Sequence, residues 1–214
     1  MFFVMCFCLT SCSSKAENPS NISEKDELLY CQEDDNFFVT LCIGKRENPY
    51  VVDGQSSDLI DFAVLTAIKK NANIEANDAN YKITVDGNEM TGKFEVNPFD
   101  GSFVVDLLNV GNNPALINVE IKLGGKSYSY ELTSALDNSA ITADEALSLA
   151  WVELKKCEKD ITQNGSLSFE IYVRLMKNPG QIPLYYVSAI NQQDQVFALI
   201  IDPNTKQVIA KNFK

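Results

Sequence analysis

The chain has 214 residues, a net charge of −11 and no histidine. That length suits two domains better than one small one, and the absence of histidine excludes Ser-His-Asp and Cys-His catalysis, His-based zinc sites and the commonest general base near neutral pH. An acidic chain also repels phosphate backbones, so nucleic acid is not an expected partner.

The first twelve residues are an apolar run that leads into Leu9-Thr10-Ser11-Cys12. An apolar residue, two small residues and a cysteine in that order resemble a bacterial lipobox. The resemblance implies that residues 1–11 are a signal peptide removed on maturation. Cys12 then carries the lipid, and the rest of the chain lies on the extracytoplasmic face of a bacterial membrane. Two acyl chains give stable anchoring where one is marginal. Residues 12–27, rich in Ser, Asn, Glu and Pro, read as a polar tether. Elsewhere no run approaches the roughly 20 apolar residues of a membrane-spanning helix. The acidity gives no electrostatic hold on anionic lipid, so the lipid supplies the membrane contact.

Cys6 and Cys8 leave with the signal, so Cys31, Cys42 and Cys157 remain beside the lipidated Cys12. Cys31 and Cys42 are close enough in sequence to form a disulfide outside the cytoplasm. The alternative for Cys42 is a small buried hydrophobe in a strand. The spacing of the three is not that of a metal site.

Residues 28–135 read as β structure. Phe37, Val39, Leu41 and Ile43 alternate with Phe38, Thr40 and Cys42, a strand apolar on both sides. Lys45 to Asn48 is a polar turn, and Tyr50-Val51-Val52 a short extended piece ended by Asp53-Gly54. Leu59 to Ile68 is apolar at nearly every position and fits helix or buried strand; its β-branched and aromatic residues favour the strand. Tyr81, Ile83 and Val85 run into an Asp86-Gly87 hairpin signal. Asn97-Pro98-Phe99-Asp100-Gly101 is a further turn before Phe103, Val105 and Leu107. Ile117, Val119, Ile121 and Leu123 turn at Gly124-Gly125 into Tyr128, Tyr130 and Leu132. Seven or eight short strands with regular turn signals predict an Ig-like β-sandwich. The acidic groups Asp34 and Asp35, Asp53 and Asp58, and Asp100 with Asp106 read as turn formers and solvated charges. A calcium site needs six to eight oxygens, and no loop has the spacing to supply them.

Residues 134–140 are small and polar, a linker. Thr142 and Glu145 then form a capping box with Ile141 as a staple, and Ala143, Ala146, Leu147, Ala150, Trp151, Leu154 and Cys157 recur at helical spacing to an end near Asp160. Alternating strands follow around Ile171, Val187 and Leu199, with a last turn at Asp202-Pro203-Asn204-Thr205. One helix on an antiparallel sheet makes residues 141–214 an α+β unit.

Ile141-Thr142-Ala143-Asp144-Glu145-Ala146, Leu184-Tyr185-Tyr186-Val187 and Ile201 to Ile209 are together similar to the PepSY domain. That family commonly has glycine in the last turn where this chain has Lys206. The resemblance implies an extracytoplasmic location and peptidase-related binding; it transfers no catalytic residues and no cofactor. Tyr172, Tyr185 and Tyr186 are candidates for an aromatic surface on the sheet that would suit a protein partner, with burial in the helix core the alternative. The expected whole is an envelope lipoprotein and non-catalytic binding module for a peptidase or other surface protein. The alternative is a solute- or glycan-binding lipoprotein, and a carboxylate-based enzyme comes third.

Overall fold

A computed structural model describes residues 19–74, 78–108, 110–157, 161–163, 166–193 and 195–213. The lipobox and Cys12 lie outside the described residues. An antiparallel meander opens the fold: β1 (Ile22–Glu33), β2 (Phe37–Glu47) and β3 (Leu59–Lys69). Three hairpins follow: β4 (Ala79–Val85) with β5 (Asn88–Lys93), β6 (Glu95–Val96) with β7 (Phe103–Leu107), and β8 (Ile117–Leu123) with β9 (Lys126–Ser134). Helix α1 (Ala143–Leu154) closes in a 3-10 turn over Lys155–Cys157. A minimal hairpin, β10 (Thr162–Gln163) and β11 (Ser166–Leu167), precedes a second meander of β12 (Glu170–Met176), β13 (Leu184–Ile190), β14 (Val196–Ile201) and β15 (Val208–Phe213).

The chain is thus mostly β with one short helix. Its strands do not separate into two sheets, one per unit. One path runs β15-β14-β13-β12-β1-β2-β3-β7-β6, and a second row, β5-β4-β8-β9, covers one of its faces and touches β1 through Tyr30–Ser134 and Cys31–Thr133. β1 joins the halves. It pairs along its length with β2, and its first residues pair in parallel with β12, Glu24 opposite Tyr172 and Lys25 opposite Val173. The expected tether therefore stops short of Glu27, because Ile22 to Glu27 are strand.

This sharing explains why β2 is apolar on both sides. Phe37, Val39, Leu41 and Ile43 face the core under the second row, with Leu65, Phe103, Ile121 and Tyr130. Cys42 packs with Leu29 on the other face, against the core beneath α1. Leu59–Lys69 is likewise a strand, its Ala63, Leu65 and Ala67 in the sandwich core.

α1 forms where its capping box starts it. Thr142 Oγ1 accepts Glu145 N at 3.3 Å, and Thr142 N donates to Glu145 Oε2 at 2.8 Å. Ala146, Leu147, Ala150, Trp151 and Leu154 then line one side, over Ile171, Val187 and Leu199 of the sheet. Each large side chain buried this way stabilises the fold by about 1.5–3 kcal/mol.

Candidate functional site

The densest group of ionisable side chains lies where β1, β2 and β12 meet, on the sheet face away from α1. It is made by alternation. Ile171, Val173 and Leu175 point to the helix core, so Glu170, Tyr172 and Arg174 share the opposite face. Glu24 of β1 stands beside Tyr172, and Glu47 ends β2. The connection over residues 48–58 folds across them.

Glu170 is fully buried and takes four hydrogen bonds. Asp53 N (2.7 Å) and Gly54 N donate to Oε1; Ser23 Oγ (3.2 Å) and the Tyr172 hydroxyl donate to Oε2. Two successive amides can converge on one oxygen because Gly54 takes φ +83°, which a side chain would oppose. The loop is tied down further. Asn21 Nδ2 donates to Phe169 O (2.6 Å) and Gly54 O (3.3 Å), Ser56 N donates to Asn21 Oδ1 (2.7 Å), and Gln192 Nε2 donates to Asp53 O.

Beside it, Arg174 Nε donates to Glu24 Oε2 at 2.8 Å and its terminal nitrogen to the Tyr50 hydroxyl at 2.7 Å. Tyr50 donates in turn to Glu24, and its ring meets Tyr172 edge-on at 6.2 Å. Burial and Glu24 push the Tyr50 phenol up to about 12. Burial and Glu170 push Tyr172 further. Burial opposes the Arg174 charge, but Glu24 and Tyr50 outweigh it and hold the guanidinium above its ordinary value. Glu47, 2% exposed, is raised by burial; the loop amide of Ser57, donating to its Oε2 at 3.2 Å, offsets part of this, and Glu170 adds to the rise. Glu47 Oε1 is buried with no hydrogen-bond partner.

Chemically this is a lock. Both phenols are held protonated as donors, and Glu170 has no lone pair turned to open space. A general base needs an acceptor within reach of a substrate proton; Glu170 spends both oxygens on the protein, and Glu24 spends its Oε2.

The predicted aromatic surface is corrected. Tyr185 is fully buried under α1, its hydroxyl 3.4 Å from Ile141 O, while Tyr172 is buried on the other face beneath Tyr50. Only Tyr186 of the three keeps partial exposure. The predicted disulfide is corrected too: Cys31 and Cys42 are free thiols. Cys31 stands opposite Thr40 and Cys42 opposite Leu29. They are therefore diagonal neighbours, about 7–8 Å apart in such a ladder, beyond the span of a disulfide. Of the acidic residues, Asp34, Asp53 and Asp100 accept the amides of their own turns. Among the described residues no three Cys, Asp or Glu side chains gather closely enough to hold a metal ion.

Sequence reading missed Glu24, Glu47, Glu170 and Arg174. The signal was present in part: Glu170-x-Tyr172-x-Arg174 puts a phenol between opposite charges on one strand face. No protein-family model matches the chain, and no curated protein or solved structure matches it significantly.

Proposed function

We propose that this protein is a lipid-anchored component of a bacterial cell envelope whose folded part is a non-catalytic binding module, its partner a peptidase or another envelope protein. The observation that carries the non-catalytic half is the engagement of two carboxylates in its densest ionisable cluster: Glu170 holds four donors, and Glu24 Oε2 holds Arg174 and Tyr50. The anchored half rests on Leu9-Thr10-Ser11-Cys12, about ten residues before β1 begins.

Two further features support the finer reading of the fold. The layers β2-β3-β7-β6 and β5-β4-β8-β9 have the ABED and C′CFG order of an immunoglobulin-like sandwich, with β1 as an added strand. In the C-terminal unit Lys206 takes φ 62°, the left-handed conformation that glycine favours, at the position where PepSY domains commonly carry glycine. A lysine there keeps the turn of the family without its usual residue. Against a glycan site, the groove of about 400 Å³ on the outer face of the second row is lined by Lys82, Thr84, Asn118, Glu120, Ser129 and Glu131, with Val119 and Tyr130 between them; Tyr130 is 6% exposed and belongs to the sandwich core, so its ring offers no open face for stacking a sugar.

The test is metabolic labelling of the full chain in a bacterial host with an alkyne fatty acid, beside Cys12→Ala, followed by in-cell crosslinking. Label and membrane flotation that depend on Cys12, with one envelope protein crosslinked, are expected. An unlabelled wild type sinks the anchored reading. Turnover of a peptide or glycan substrate by the purified protein, abolished by Glu47→Gln, sinks the non-catalytic one.

A further inference from the structure

Thirteen large apolar side chains are exposed among the described residues, and five of them, Tyr50, Val51, Val52, Leu59 and Ile60, fall at one end of the β2–β3 hairpin. Their exposures lie between 36% and 50%. Glu47 pairs with Leu59 and Arg46 with Ile60 just where the loop departs, so Leu59 and Ile60 stand at the hairpin end from which the loop carrying Tyr50, Val51 and Val52 projects. The loop is not slack chain able to fold these residues inward. Glu170, Asn21 and Gln192 all hold its backbone. A rigid loop that exposes consecutive valines is an arrangement that marks an interaction surface.

The occupant follows from where the chain enters the fold. Asn21 is hydrogen-bonded to this very loop, at Gly54 and Ser56. Cys12 lies nine residues earlier, a stretch that spans at most about 32 Å whatever its conformation. β1 runs in the opposite direction for twelve residues, about 40 Å. Phe99, 96% exposed on the turn between β6 and β7, belongs to that far end. Its neighbour Phe103 pairs with Ala67, Ala67 with Val39, and Val39 with Gln32.

We propose that the β2–β3 hairpin end, with Val51, Val52, Leu59 and Ile60 around Tyr50, is a lipid-contacting surface that rests in the interface of the membrane bearing the Cys12 anchor. This rests on the lipid-anchored reading. The contact is apolar and not electrostatic: Asp53 and Asp58 flank the patch, so anionic headgroups add nothing to it. Tyr50 suits the headgroup level: it is 45% exposed, its ring stands edge-on to Tyr172 and its hydroxyl is held by Arg174 and Glu24. The docked hairpin fixes the orientation of the molecule, with the Phe99 turn directed away from the bilayer.

The test uses the full lipidated chain in phosphatidylcholine vesicles with and without brominated acyl chains. Wild type contains one tryptophan, Trp151, which serves as a constant background to Val52→Trp and Phe99→Trp. The added emission of Val52→Trp is expected to shift blue and to be quenched roughly twofold, as for a side chain at the acyl boundary. Phe99→Trp is expected to be unquenched, and phosphatidylglycerol to leave both results unchanged. Equal quenching of the two, or of neither, in protein that is labelled and floats with the vesicles overturns the contact alone. Protein that takes no label and does not float overturns the anchored reading, and the contact with it. Hydrogen exchange of unmutated protein is the second readout. Slowing over residues 48–60 but not 94–103, relative to Cys12→Ala in solution, is expected, and equal exchange in both segments overturns the proposal without any tryptophan variant.

Discussion

Glu170 and Glu47 are both buried carboxyls under one loop, yet their neighbours differ. Glu170 has four donors. Replacing it with glutamine turns an amide NH2 against two of them, which costs about 3 kcal/mol for a buried group left facing its own kind. Glu47 is raised by burial and has an unpartnered oxygen, so Glu47→Gln keeps an acceptor for the Ser57 amide, removes a charge that burial opposes and costs less than about 1 kcal/mol. Urea unfolding midpoints separate the two; equal losses would contradict the lock. Lys206 offers a gain instead. A side chain in the left-handed region costs about 1–2 kcal/mol, partly offset by the greater freedom of unfolded glycine, so Lys206→Gly should raise stability by about 0.5–1 kcal/mol. A lower melting temperature for that variant would mean that its amide bond to Asp202 O depends on the lysine. Little of this cluster could be read from the sequence. Periodicity identifies which residues share a face, as it did for Glu170, Tyr172 and Arg174, but not that a loop more than a hundred residues earlier would cover that face and bury it.

Among the elements, strands that alternate cleanly were legible, because a sheet with one buried face writes period two into the chain. The Asp86-Gly87 and Gly124-Gly125 hairpins and the capped helix fall where expected, although α1 proper closes at Leu154. β1 was illegible at its start. Ser23, Glu24, Lys25 and Asp26 look like tether, yet each is employed: Ser23 on Glu170, Glu24 on Arg174, Lys25 on Asp144 and Asp26 on the amide of Leu175. Asp26 accepts that amide at 2.8 Å just past the Lys25–Val173 pair, continuing a parallel ladder where the backbones diverge. Burial, then Glu24, raises its carboxyl to about 7 from 3.8. Between about pH 4 and 7 the folded chain therefore holds a proton that the unfolded chain has released. Stability from this residue falls as pH rises through that window, by about 4 kcal/mol at most, and is level above it. Asp26→Asn keeps an acceptor for Leu175 and has no proton to lose. The stability difference between variant and wild type should grow in favour of the variant from pH 4 to 7. Carboxylates with lowered values, such as Glu33 and Asp34, act in the opposite sense but equally in both proteins, so they cancel in the difference. A flat difference across that range would refute the account.

At the scale of the molecule, the reading of residues 28–135 and 141–214 as separable units meets the shared strand. β1 is interior to the long sheet, with β2 on one side and β12 on the other, and no short connection enforces the parallel β1–β12 pairing. Folding supplies it from opposite ends of the chain. A chain ending at Leu136 would bare the edge of Ile22 to Lys25, a template for pairing with another chain. It would also uncover Leu29 and Cys42 on the face that the helix core covers. Asp26 would lose the Leu175 amide, Glu24 would lose Arg174, and Glu33 would lose the Gly180 amide. The sandwich core of Phe37, Leu65, Phe103 and Ile121 would stay intact. The expected product is therefore an associating β protein and not an unfolded one, seen by light scattering as concentration-dependent oligomers, whereas the whole chain melts in one transition. A monomeric, cooperatively folded product from the chain ending at Leu136, together with two separate transitions in the full chain, would mean that β1 belongs to the sandwich alone and that the β12 contact contributes little. The first outcome makes the two halves one binding body, so a partner held by either half is presented in a fixed orientation by the other.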